Sequence, residues 1–120
     1  MKSVGHEKPS ERSGFFHLGR KPFRNKRQGV NIKSITGRKS QLTIVRLESG
    51  TKTRHTHRNE QIGYILSGKV RLKIGAVSQT LGPGDGYLIP SNVEHAFTVL
   101  STSNLEYVEI FCPPKKENRT

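Results

Sequence analysis

The run KVRLKIG, residues 69–75, alternates with a period of two: Val70, Leu72 and Ile74 are apolar, while Lys69, Arg71 and Lys73 are cationic. Successive side chains of an extended chain point to opposite faces, so this run predicts a strand with one face on a core and the other in water. The remaining apolar runs are short, rich in β-branched residues and bounded by turn formers. Val30, Ile32 and Ile35 precede Gly37, QLTIVRLES (41–49) stops at Gly50, and QIGYILSG occupies 61–68. The dense turn Gly82-Pro83-Gly84-Asp85-Gly86 leads into a short apolar strand that ends at Pro90. HAFTVLS (95–101) and LEYVEIFCPP (105–114) predict the last strands, which Pro113 and Pro114 terminate because neither has an N–H for the ladder. Toward the front, Phe15, Phe16 and Leu18 predict a short strand or docking arm. RKPFRNKRQG (20–29), broken by Pro22 and ended by Gly29, reads as a basic loop. No helical period stands out, and the pattern predicts an all-β barrel or sandwich.

Composition narrows the class. A chain of 120 residues suits one domain with a modest core, and twelve Gly and six Pro suit many turns. Cys112 is the only cysteine, so no disulfide forms within one chain, which fits a reducing compartment. The first residues lack the apolar stretch of a signal peptide, and no run approaches the roughly 18 apolar residues of a membrane span. The expectation is a soluble, cytoplasmic protein. The formal charge of +12 is unevenly placed: residues 1–40 carry eleven Lys or Arg against two Glu, and residues 41–120 carry ten against seven acidic residues. The chain divides into a basic arm (1–27, partly disordered or strand-exchanging), a barrel (28–114) and a polar tail (115–120). Such an arm suits a polyanion such as nucleic acid, but no aromatic-basic pattern of a nucleic-acid fold accompanies it, and a solvated tail is the favoured reading.

Candidate chemistry centres on RHTHRNEQ, residues 54–61. In a strand, residues two apart share a face, so His55 and His57 can turn both rings into one cavity, with Gln61 at the same parity if the strand runs on unbroken. Imidazole is the commonest metal ligand near neutral pH, yet one His-x-His pair fits two surface histidines equally well. His95, on a later strand, adds a third ring.

The spacing Gly50…His55-x-His57-x3-Gln61-x6-Gly68, followed by Gly84-x5-Pro90-x-Asn92-x2-His95, resembles the two motifs of the cupins. That resemblance implies a double-stranded β-helix (jelly-roll) barrel and a divalent transition metal, Mn, Fe, Co, Ni or Zn, held by His55, His57, Gln61 and His95. Gln61 stands where the general motif has glutamate, and Asn92 where it has glycine; Asn tolerates positive φ, so the turn survives. Four neutral donors would leave a divalent cation its full charge. The sequence is closer still to the small pectin-degradation cupins, in which Gln as a ligand is usual. Their activity, opening 4,5-unsaturated uronates to linear 5-keto-4-deoxyuronate, would make Glu109 the acid/base, Phe111 a wall against the sugar and Lys115 the partner of the uronate carboxylate. Glu109 and Lys115 replace that group's Asp and Arg, and Lys lacks the two-pronged grip of Arg. A small dioxygenase and a non-catalytic anion sensor are the alternatives. Cupins commonly pair, so a homodimer is expected, with residues 15–35 available for strand exchange. Cys112, opposite in parity to Phe111, reads as an inert buried thiol.

Overall fold

The computed structural model describes residues 13–120. Ten strands follow one another: β1 (Arg24–Arg27), β2 (Val30–Thr36), β3 (Gln41–Leu47), β4 (Lys52–His55), β5 (Glu60–Ser67), β6 (Val70–Ile74), β7 (Val77–Leu81), β8 (Gly86–Ile89), β9 (His95–Val99) and β10 (Leu105–Cys112), and then a 3-10 turn, Lys116–Asn118. They form two antiparallel sheets, ordered β1-β2-β3-β10-β5-β8 and β4-β9-β6-β7. The chain crosses repeatedly between the sheets, which is the jelly-roll arrangement that the cupin resemblance implies.

Inward residues of both sheets make one core. Val30, Ile32, Val45, Leu47, Ile65, Ile89, Leu105 and Tyr107 come from the larger sheet, and Val70, Leu72, Phe97 and Val99 from the smaller. Phe97 stacks on Tyr107 with centroids 5.1 Å apart, joining the two layers. β6 behaves as its pattern demands: Val70 and Leu72 are buried while Arg71 and Lys73 are exposed.

Three expectations are corrected. The supposed basic loop over 20–29 contains β1, which pairs with β2 through a tight hairpin in which Arg27 opposes Val30 and Gly29 takes φ 78°. β1 carries no apolar residue, so only its turn could have announced it. Likewise β7 is an exposed partner of β6 without a hydrophobic period. Phe15, Phe16 and Leu18 form no strand, and Phe15 is fully exposed. Cys112 is exposed, because the inward position at the end of β10 is taken by Phe111. Residues 24–36 add to the chain's own sheet, and residues 1–12 of the basic arm lie outside the described residues. Among the described residues no helix is long and apolar enough to cross a membrane.

Candidate metal centre and acid/base site

The three imidazoles reach the barrel interior by different routes. His55 ends β4 and stands directly across the ladder from His95, the first residue of β9. His57 is on no strand. The chain leaves β4 at His55 and turns through 56–59 before β5, so the shared parity expected of His55, His57 and Gln61 does not exist. Local hydrogen bonds place His57 instead. Its carbonyl accepts from the Asn92 N–H at 2.8 Å, and Asn92 adopts φ 63°, the left-handed conformation its side chain tolerates. The side chain of buried Asn59 donates to the Pro113 carbonyl at 2.5 Å, tying this turn to the end of β10. Ring centroids are 6.4 Å apart for His55 and His57, 5.9 Å for His55 and His95, and 4.8 Å for His57 and His95.

The tautomers follow from the partners. A carbonyl only accepts, so Nδ1 of His57 donates to Asn59 O and Nδ1 of His95 donates to Val93 O, both at 3.0 Å. Each neutral ring then keeps its Nε2 lone pair for the cavity. Burial holds all three rings below the usual imidazole range, with Lys115 adding repulsion, and His55 falls to about 3. The rings are therefore neutral near pH 7, as ligation requires.

Gln61 and Glu109 come from the opposite sheet. Gln61 opposes Phe111, and Glu109 opposes Gly63, in the β5–β10 ladder. Glu109 is buried at 4% exposure. One carboxylate oxygen, Oε1, accepts from both the Gln61 amide and the Tyr87 hydroxyl, the latter at 2.5 Å. Burial raises the Glu109 carboxyl to about 7, against the lowering effect of those two donors and of Lys115. Tyr87 reaches it across β5 only because residue 63 is glycine: a Cβ there would lie 2.1 Å from Tyr87 Cζ. Neither Tyr87 nor Asn59 follows from the strand pattern. The one hint was a glycine inside an apolar strand, which marks close approach of another group.

Among the described residues no group of three or more His, Cys, Asp or Glu side chains stands close enough to hold a metal ion by itself. The fourth donor here is a carboxamide, and the His55 Nε2 accepts from the Arg27 guanidinium at 3.0 Å. One further observation tests the fit of a cation. With its amide on Glu109, Gln61 presents a buried Oε1 that has no partner, a costly state for a carbonyl oxygen unless something binds it. Two oriented imidazoles, a third nearby and this oxygen are donors that suit a divalent transition metal.

Phe111 packs edge-on to His57, with centroids 5.9 Å apart, and Lys115 Nζ lies 5.3 Å from the Phe111 ring centre. Lys115 is 7% exposed and pairs with Glu117 at 3.7 Å. The cavity these side chains bound is only about 40 Å³, and Lys26, Arg27 and Lys115 reach into it with Asn118. Lys26 Nζ donates to Asn118 Oδ1 at 2.6 Å, so β1 and the C-terminal turn clasp each other beside the histidines. A separate open groove of about 1290 Å³ runs past Arg38, Lys39, Arg58, Lys116 and Arg119 and meets the site only at Lys115.

Residues 43–111 match the family model described as Cupin domain. A curated relative, the probable transcriptional regulator LumQ of Photobacterium leiognathi, is 44% identical over 64 residues, 53% of this chain and 25% of its own length. The chain thus spans about a quarter of that relative. Similar solved structures include KdgF from Halomonas sp. (TM-score 0.81, 21% identity, 88% of this chain and 98% of that one). An RmlC-like cupin from Shewanella frigidimarina follows (TM-score 0.79, 17% identity, 88% and 96%). Oxalate decarboxylase of Bacillus subtilis matches at TM-score 0.74 and 17% identity over 92% of this chain and 34% of that one. At such identities these structures establish the fold. With more than half of the chain matched by the family model and both sheets in place, the chain belongs to the cupin family.

Proposed function

We propose that the chain is a metal-dependent enzyme acting on a small acidic sugar, and that it opens 4,5-unsaturated uronates to linear 5-keto-4-deoxyuronate. His55, His57, Gln61 and His95 hold the metal, with Glu109 as acid/base and Phe111 as a wall of the sugar pocket. The observation that carries this reading is Glu109: a buried carboxyl at about 7, held by Tyr87 and by the same carboxamide that offers its oxygen to the metal position. Near neutral pH such a group both takes and returns a proton. In the reaction Glu109 takes the proton of the C1 hydroxyl. The C1–O5 bond breaks to leave an aldehyde at C1 and an enolate at C5. The proton returned to C4 completes the ketone, so the product is an isomer of the substrate and neither water nor oxygen is consumed. A divalent cation held by four neutral donors keeps its double charge and polarises oxygen groups. The likeness of the sequence to the pectin-degradation cupins and of the fold to KdgF from Halomonas sp. supports the same substrate class.

Loss of the absorbance of the conjugated enol-carboxylate tests the proposal. Metal-loaded protein accelerates that loss, chelated protein does not, and Glu109→Gln abolishes it while still binding metal. Absence of a metal-dependent rate would overturn the reading. The identity to a probable transcriptional regulator favours a second one, a ligand-sensing module. A sensor binds uronate with no turnover, and Glu109→Gln leaves its affinity intact. Two copies pair, in this proposal, through the outward face of the larger sheet, where Ile62, Tyr64, Leu66 and Leu88 are exposed.

A further inference from the structure

Among the described residues Arg27 is the one guanidinium hydrogen-bonded to the histidine cluster, and the fold brings it there from a strand outside both sequence motifs. Its N–H groups only donate, so the bond to His55 uses the single lone pair of that ring's Nε2. That lone pair serves either Arg27 or a metal ion. Loading the centre through His55 Nε2 therefore frees a five-donor planar cation at the rim of the cavity. Arg27 has little else to turn to. Lys26 and Lys115 flank the same cavity and repel it. Among the described residues the two nearby carboxylates already have partners: Glu109 takes Tyr87 and Gln61 on Oε1, and Glu117 pairs with Lys115. Three cations line one small space, which suits an anionic ligand. Lys115 makes a poor sole receptor, because it is buried, paired with Glu117 and set against the Phe111 ring. A guanidinium also grips a carboxylate with two parallel bonds where an ammonium offers a point charge.

We propose that Arg27 is the carboxylate receptor of this site: its guanidinium, which lies on His55 Nε2, passes to the ligand's carboxylate when a metal takes that nitrogen. Metal and small carboxylates then bind cooperatively, each tightening the other by the same factor. The long side chains of Lys26, Arg27 and Lys115 fill the space a sugar acid would take, so entry requires side-chain movement at the β1 edge. The inference rests on the metal-centre part of the proposed function and is independent of ring opening.

Calorimetric titration of the full chain separates the two, with Ni(II) alone first and then D-galacturonate, which lacks the 4,5 double bond, added to the metal-free and the Ni(II)-loaded protein. In the wild type, galacturonate binds the loaded protein more tightly than the metal-free one. Arg27→Gln binds Ni(II) alone more tightly than wild type, having lost the competitor for His55. The same variant loses about tenfold in galacturonate affinity in the loaded state, and Arg27→Lys recovers only part of it. Arg71→Gln, on the outward face of β6, behaves as wild type. Galacturonate binding to loaded Arg27→Gln at wild-type strength overturns the proposal, as does an equal loss in Arg71→Gln. Absence of Ni(II) binding in the wild type removes the metal centre and this inference together. Cooperative binding without any uronate turnover leaves the inference standing and removes the ring-opening reaction.

Discussion

β5 and β6 follow each other in the chain and use their faces in opposite ways. β6 puts Val70 and Leu72 into the core and Arg71 and Lys73 into water. β5 turns Gln61, Gly63 and Ile65 inward and leaves Ile62, Tyr64 and Leu66 about half exposed outside (50%, 49% and 46%). Only Ile65 among those three inward positions serves packing. Gln61 makes the polar network and Gly63 makes room for Tyr87. A strand that gives its inward positions to chemistry loses core area there, and its apolar side chains stand on the other face, where a second surface can cover them.

The contrast breaks first at Leu72. Leu72→Ala, deep in the core face of β6, costs about 2–5 kcal/mol, read from the midpoint of denaturant unfolding. Ile62→Ala, on the outward face of β5, costs well under about 1 kcal/mol when measured on the monomer.

Glu109 gives the next effect, through pH. Its carboxyl rises from 4.5 to about 7 on folding, so between those values the folded state holds the extra proton. Its contribution is therefore fully present below pH 4.5 and is lost as pH rises through 7. The loss is about 3 kcal/mol for this buried group in metal-free protein. The three histidines, held below 6.5 by burial, act in the opposite sense over the same window, so the effect is read as a difference: the stability of the wild type relative to Glu109→Gln falls as pH rises from 4.5 through 7.

Gly63 sharpens the comparison further. Gly63→Ala drives a Cβ into the Tyr87 ring and destabilises the fold by about 1–3 kcal/mol in thermal melts, with loss of the proposed uronate turnover. Tyr87→Phe keeps the ring and loses the hydroxyl, so its stability changes by only about 0.5–1.5 kcal/mol while turnover falls. The smallest change in intrinsic stability belongs to Tyr64→Lys, within about 0.5 kcal/mol for the monomer. That variant nevertheless shifts sedimentation from dimer to monomer if the outward face of β5 pairs two copies.

Legibility in the sequence followed physical range. β6 was plain because a period of two needs only neighbours to be read, and β3 and β10 were plain because β-branched runs end at turns. β1 and β7 carry no hydrophobic alternation, and their existence depends on the partners that pair with them. His55, His57, Gln61 and His95 were marked by spacing, but the single unbroken strand expected to align His55, His57 and Gln61 does not exist. They meet because β4 faces β9 across a ladder while Gln61 arrives from the other sheet.

The sequence by itself determined which residues are apolar, where the turns fall and that three imidazoles and a carboxamide keep cupin spacing. Those are properties of short stretches, and short stretches suffice to state them. Only the tertiary structure decided that Tyr87 crosses Gly63 to reach Glu109, that the Gln61 oxygen is left without a partner and that Arg27 sits on His55. Each of these joins residues far apart in the chain, and such meetings are fixed by strand register and by the crossing between sheets, which no local pattern encodes.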